Sequence, residues 1–254
     1  MTRRILILGG TTEARLLAGR LAARGGLDVT VSLAGRTAKI IDHGVPVRVG
    51  GFGGASGLAA YLQSSGIHLL VDATHPFADR ISANAVAAAV AAGRPILALR
   101  RPAWRPVDGD RWTEVADESG ANAALGETPR RVFLALGRQE VGRFAAARQH
   151  FYLVRSIDPV ADRPLPHAVY VEERGPFHEA NETRLMTEHR IDTLVARNSG
   201  GDAGYAKIAA ARALGIPVIM IRRPDVPDTE TVATVDDAVT WIDHALLPGS
   251  ERGV

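Results

Sequence analysis

Residues 67–102 and 191–224 read as two copies of one unit, and this repeat constrains the fold more than any other feature of the chain. "IHLLVDATHPF…AAGRPILALRRP" is matched by "IDTLVARNSGG…ALGIPVIMIRRP". Each copy has an apolar strand, a polar turn, an alanine-rich helix, Gly-x-Pro, a second apolar strand and Arg-Arg-Pro. Beyond it, "WTEVADESGANAAL" corresponds to "TVATVDDAVTWIDHAL", and "RVFLALG" (131–137) mirrors "RILILGG" (4–10). Self-similarity on this scale implies two related halves.

The strands are short, almost wholly apolar and mostly separated by helical stretches. That pattern belongs to parallel sheets covered on both faces. The expected class is therefore α/β, with two doubly wound, Rossmann-like parallel-sheet domains related by an internal repeat. The boundary is expected near Thr128-Pro129, giving domains 1–128 and 129–254. The final strand–helix pieces of the two halves are equivalent, so either can dock on the other half's sheet. The sequence leaves that exchange open.

Composition excludes several classes. The chain has no cysteine, which removes disulfides, thiolate metal sites and cysteine nucleophiles and suits a reducing cytoplasm. No run approaches the ~18 apolar residues of a membrane span. In "MTRRILILGG" only Ile5–Leu8 is apolar before Gly-Gly, so it reads as a core strand rather than a signal peptide. A cytoplasmic location without membrane association is expected. The net charge is +2 and no basic stripe is interleaved with aromatics, so nucleic acid is not an expected partner. There is no Walker A loop, nucleophile elbow or H-E-x-x-H, and the eight histidines are scattered, so no metal is expected. Tyr205-Ala206-Lys207 lacks the Tyr-x-x-x-Lys spacing of short-chain dehydrogenases. Nothing in the sequence sets the oligomeric state.

The turn after the first strand, "ILILGGTTEAR", puts Gly9 and Gly10 at a helix start. Glycines admit a close-lying pyrophosphate, and a helix N-terminus offers N–H donors. Thr11 and Thr12 add hydroxyls. The third glycine of G-x-G-x-x-G is missing. NAD sites usually place an acid about 20 residues further on, at the end of the second strand. Here Asp28 precedes that strand, which ends Ser32-Leu33-Ala34-Gly35-Arg36. Ser32 and Arg36 without an acid suit a 2′-phosphate, hence NADPH. "VGGFGG" (49–54) leaves room for cofactor or is a plain turn.

The remaining polar strand ends are Asp72–Phe77 in one half and Arg197-Asn198-Ser199-Gly200-Gly201 in the other. Asn-Ser-Gly-Gly can present backbone N–H donors to an anion. "LGRQE" (136–140) stands where Gly9–Gly10 stand in the first half and offers Arg138 to a carboxylate.

Three motifs in order, "ILILGGTTEARLLA", "DATHPFA" and "ARNSGG", resemble the precorrin-6A and cobalt-precorrin-6A reductase family over essentially the whole chain. The resemblance implies NADPH-dependent reduction of precorrin-6A to precorrin-6B, a ring double-bond reduction in cobalamin biosynthesis. It implies a flat tetrapyrrole substrate with many carboxylates, held in a cleft to which the second domain contributes. Arg138, Arg197 and Lys207 are then rim candidates beside Asn198, Ser199, Gly200 and Gly201. Thr74 and His75 frame the nicotinamide end, with Pro76 fixing the turn and Asp72 holding the strand end. His75 is either a positioning residue or the general acid that protonates the ring carbon, and solvent is an alternative source of that proton. Two other readings stand beside this one: a non-catalytic NADP-sensing protein, and a transferase that binds another nucleotide or a methyl donor at the first turn. Whether the substrate carries cobalt is left open.

Overall fold

A computed structural model describes residues 2–35, 42–173, 175 and 177–246. The chain divides into two compact units, Met1–Arg101 with Asp225–Val254, and Pro102–Pro224. In the first, β1 (Arg3–Leu8), α1 (Thr12–Ala22), β2 (Leu27–Leu33), β3 (Val47–Val49), α2 (Ala55–Ser64), β4 (Leu69–Asp72), α3 (Asp79–Ala92) and β5 (Ile96–Leu99) follow in order. The second holds β6 (Trp112–Val115), α4 (Glu118–Leu125), β7 (Arg131–Ala135), β8 (Phe151–Ser156), β9 (Ala168–Glu172), α5 (Glu179–Glu188), β10 (Thr193–Arg197), α6 (Ala206–Ala213) and β11 (Val218–Ile221). The chain then returns to the first unit as β12 (Thr231–Val232) and α7 (Val235–Leu246).

Both sheets are parallel and share one order, β3-β2-β1-β4-β5-β12 and β9-β8-β7-β10-β11-β6. Each is the doubly wound order in which the chain steps outward from a central strand one way and then the other. The sixth strand in each sheet comes from the far side of the repeat. β6 pairs with β11, and β12 pairs with β5. A division at residue 128 is therefore corrected: residues 102–128, with β6 and α4, belong to the second unit, and the chain after Pro224 belongs to the first. Strand pairing decides this, and an apolar pattern cannot report which sheet edge a strand joins.

The alternation of side chains along β1 sorts the first core into two faces. Ile5 and Ile7 pack with Val29, Val31, α1 and α7. Leu6 and Leu8 pack with α2 and α3. On α1 the buried residues are Ala14, Leu17, Ala18 and Leu21, one face at helical spacing. Each full leucine burial contributes roughly 1.5–3 kcal/mol. In the second unit α5 and α6 cover one face through Met186, Ile208 and Ala211. The β7–β8 connection carries only a short 3₁₀ turn, Val141–Phe144, where the first unit has all of α1. No helix among the described residues is long and apolar enough to cross a membrane.

Candidate functional site

Ligands of open α/β sheets bind outside the carboxyl ends of the strands, where the strand order reverses. In the first unit that place lies between β1 and β4. Leu8 is in register with Asp72 on one side and with Ser32 on the other. The Gly9–Thr12 turn and the Ala73–Phe77 turn leave the sheet side by side.

Two different constraints require the two glycines. A Cβ on Gly9 would fall 2.9 Å from Val31 Cγ1 and 3.3 Å from Leu33 Cδ2. Gly10 has φ +119°, and a Cβ there would meet nothing within 4 Å. Gly9 lets the turn press on β2, and Gly10 leaves open space above it. Thr11 is the N-cap of α1: its hydroxyl accepts from Ala14 N at 3.1 Å and donates to Ala73 O at 2.8 Å. Its proton thus ties the two turns together and is not offered to a ligand. The first N–H groups of α1, on the exposed Thr12 and on Glu13, lack intrahelical acceptors and are the kind of donors that suit an anion. Open glycine space at a helix start fits the diphosphate of a dinucleotide.

Asp72 is 2% exposed. It accepts from Thr74 N (3.1 Å), Thr74 Oγ1 (2.6 Å), Ser82 Oγ (2.6 Å) and Arg100 Nη2 (3.3 Å). With its oxygens so engaged, Asp72 fixes the strand end and is no base. The Thr74 hydroxyl proton is committed in the same way. His75 Nδ1 accepts from Phe77 N at 3.3 Å, and the His75 ring lies 5.9 Å from that of Phe77. In the neutral ring this bond puts the hydrogen on Nε2. The Arg-Arg-Pro motif acts here too: Arg100 neutralises Asp72, and Arg101 pairs with Glu13 at 2.8 Å.

Ser32 is buried at the end of β2 and is approached by Arg48 of β3. Arg36 lies outside the described residues. Asp28 pairs with Arg4 at the opposite end of the sheet, so no carboxylate stands among Ser32–Gly35.

The second unit uses its matching edge differently. Asn198 Oδ1 accepts from Trp104 N (2.8 Å), and its Nδ2 donates to Trp104 O (2.9 Å). Trp104 Nε1 donates to Gly201 O at 2.8 Å. Lys207 is only 7% exposed; its Nζ donates to Gly204 O and lies 4.9 Å from the Trp104 ring centroid. Arg223 donates to Asn198 O and Ser199 O, at 2.9 and 3.0 Å. A Cβ on Gly200 would fall 2.1 Å from Pro102 O. The Asn-Ser-Gly-Gly turn is thus a clamp for the segment that carries Trp104. Arg197 is paired with Glu118 (2.6 Å) and Glu140 (3.1 Å). The structure therefore places Arg197, Asn198 and Lys207 in internal roles, whereas Arg138 is exposed on the turn after β7. Sequence reasoning passed over Trp104, whose signal was a tryptophan set among prolines in an apparent linker. It also passed over Arg48.

Among the described residues no cluster of His, Asp and Glu has the makings of a metal site. Fold and site define a Rossmann-like α/β protein whose switch-point turn has the form of a dinucleotide site. The family model described as Precorrin-6x reductase CbiJ/CobK matches residues 4–243. The chain belongs to that family. It is 54% identical to a precorrin-6A reductase of Sinorhizobium sp over 96% of this chain and 94% of that one. It is 47% identical to the precorrin-6A reductase of Rhodobacter capsulatus over 99% of both. A solved structure of CobK precorrin-6A reductase superposes with a TM-score of 0.92, at 46% identity and with full coverage of both chains.

Proposed function

We propose that the chain reduces precorrin-6A to precorrin-6B in cobalamin biosynthesis, with NADPH bound at the β1/β4 switch point of the first unit. The observation that carries this is the open Gly10 turn at the start of α1, in a chain 54% identical to a precorrin-6A reductase. When bound, the cofactor supplies the hydride. Gly10 and the first N–H groups of α1 hold its diphosphate. Ser32, with basic side chains near the β2 end, selects the 2′-phosphate. Thr74 and His75 bound the nicotinamide end, with the turn held rigid by Asp72. Arg138 takes a substrate carboxylate, as a planar fork suited to that group. Relatives named for the cobalt-bearing substrate, such as that of Priestia megaterium, are 27% identical, so the cobalt-free substrate is the favoured one.

The direct test mixes purified protein, NADPH and precorrin-6A and follows cofactor absorbance. Stoichiometric loss with formation of precorrin-6B is expected, and constant absorbance would refute the assignment. His75 is read as a positioning residue, because its Nδ1 is held by Phe77 N. His75→Ala should raise the KM for NADPH several-fold while the kcat–pH profile keeps its shape. Loss of a limb near neutrality would instead make His75 the acid.

A further inference from the structure

We infer that Arg48, on the third strand of the first unit, is the residue that makes the site select a 2′-phosphorylated cofactor; this rests on the NADPH reading above. Arg48 and Ser32 are register partners on β3 and β2, so their side chains leave the same face of the sheet. The Arg48 guanidinium reaches Ser32 Oγ at 3.4 Å. It also donates to Gly50 O and, at 2.8 Å, to Gly51 O. Its Cζ lies 3.7 Å from the Phe52 ring centroid and 5.6 Å from that of Tyr61.

Every one of these partners is neutral. Among the described residues no carboxylate pairs with Arg48, and the 36–41 segment between β2 and β3 contains no acid. By contrast Arg100, Arg101, Arg155, Arg197 and Arg212 each face an Asp or Glu. Arg48 is thus a cation fixed in place, by carbonyls and a ring face, with its charge left uncompensated. Those carbonyls belong to the turn leaving the carboxyl end of β3, next to the β2 end where a dinucleotide's adenosine ribose is recognised.

The fixing device is the "VGGFGG" turn. Gly50, Gly53 and Gly54 all have positive φ, which lets the turn fold back on the guanidinium. Gly57 completes it, since a Cβ there would fall 1.7 Å from Phe52 O. A planar, pre-oriented guanidinium beside a serine hydroxyl matches a phosphate monoester, and the lack of an acid removes the usual partner of an unphosphorylated ribose diol. NADH offers nothing for Arg48 to neutralise.

The test measures the dissociation constants of NADPH and NADH, and of 2′,5′-ADP and 5′-AMP, for the wild-type protein, Arg48→Met and Arg48→Lys. The wild type is expected to favour the 2′-phosphorylated member of each pair. Arg48→Met should cut that preference roughly 10- to 100-fold, the loss of a hydrogen bond to a charged group. Arg48→Lys keeps the charge without the fork and should cut it less. If the wild type prefers NADPH and Arg48→Met weakens both members of a pair equally, or Arg48→Lys cuts the preference as much as Arg48→Met, Arg48 does not select through its charge; the inference fails and the NADPH reading stands. If the wild type shows no preference, the NADPH reading falls and the inference with it.

Discussion

Asp72→Ala should destabilise the first unit by about 3–5 kcal/mol, the range for breaking a buried ion pair from one side. The carboxylate is 2% exposed and serves four donors on three residues: Thr74, Ser82 and Arg100. Alanine would leave two hydroxyls and a guanidinium to find other acceptors at the end of a buried strand. Asp72→Asn preserves shape and some acceptors but not the charge facing Arg100, and should cost less than alanine. With two units in the chain, a single unfolding midpoint would mix them. Hydrogen exchange of the β1 and β4 amides reads the first unit alone. A loss below about 1 kcal/mol would show that Asp72 does not organise the Thr74–His75 turn, since ordinary surface changes reach half of that.

The anchoring role of the same carboxylate was legible in the sequence. Asp72 sits after three apolar residues, Leu69–Val71, and its role as a strand-end anchor follows from that position. The two doubly wound sheets were legible for a similar reason, because buried parallel strands must be apolar on both faces. The exchange of β6 and β12 was legible only as an option. Both strand–helix pieces carry the same pattern, and the edge each joins depends on where the segments after Pro102 and Pro224 lead. Charge was the least legible property. Arg197 resembles a ligand-binding cation until Glu118, 79 positions away, arrives beside it. Lys207 resembles another until Trp104 covers it. The partner of a cation is set by tertiary approach, so residue type at a strand end does not tell an open arginine from a neutralised one. Arg48 fails in the opposite sense: it sits within a strand, yet among the described residues no acid pairs with it.

The two glycines of the first turn should separate folding from cofactor binding, and the larger effect is expected at Gly10. Gly9→Ala places a methyl group 2.9 Å from Val31 Cγ1, so β1 and β2 must shift or Val31 must move. Overpacking of this kind costs about 1–3 kcal/mol of stability, and cofactor affinity should fall only as far as the turn is displaced. Gly10→Ala meets nothing in the protein, so its cost without ligand is the strain of φ +119°, about 1–3 kcal/mol. Its Cβ projects into the space assigned to the diphosphate. NADPH and NADH affinity should therefore both fall by roughly 100-fold or more, about 2.7 kcal/mol, with their ratio unchanged because the turn does not read the 2′-phosphate. Calorimetric titration of both cofactors against each variant, beside thermal unfolding, measures the two effects. Near-normal binding by a folded Gly10→Ala protein would place the diphosphate elsewhere, because no rearrangement short of vacating this turn lets a side chain and a pyrophosphate share it.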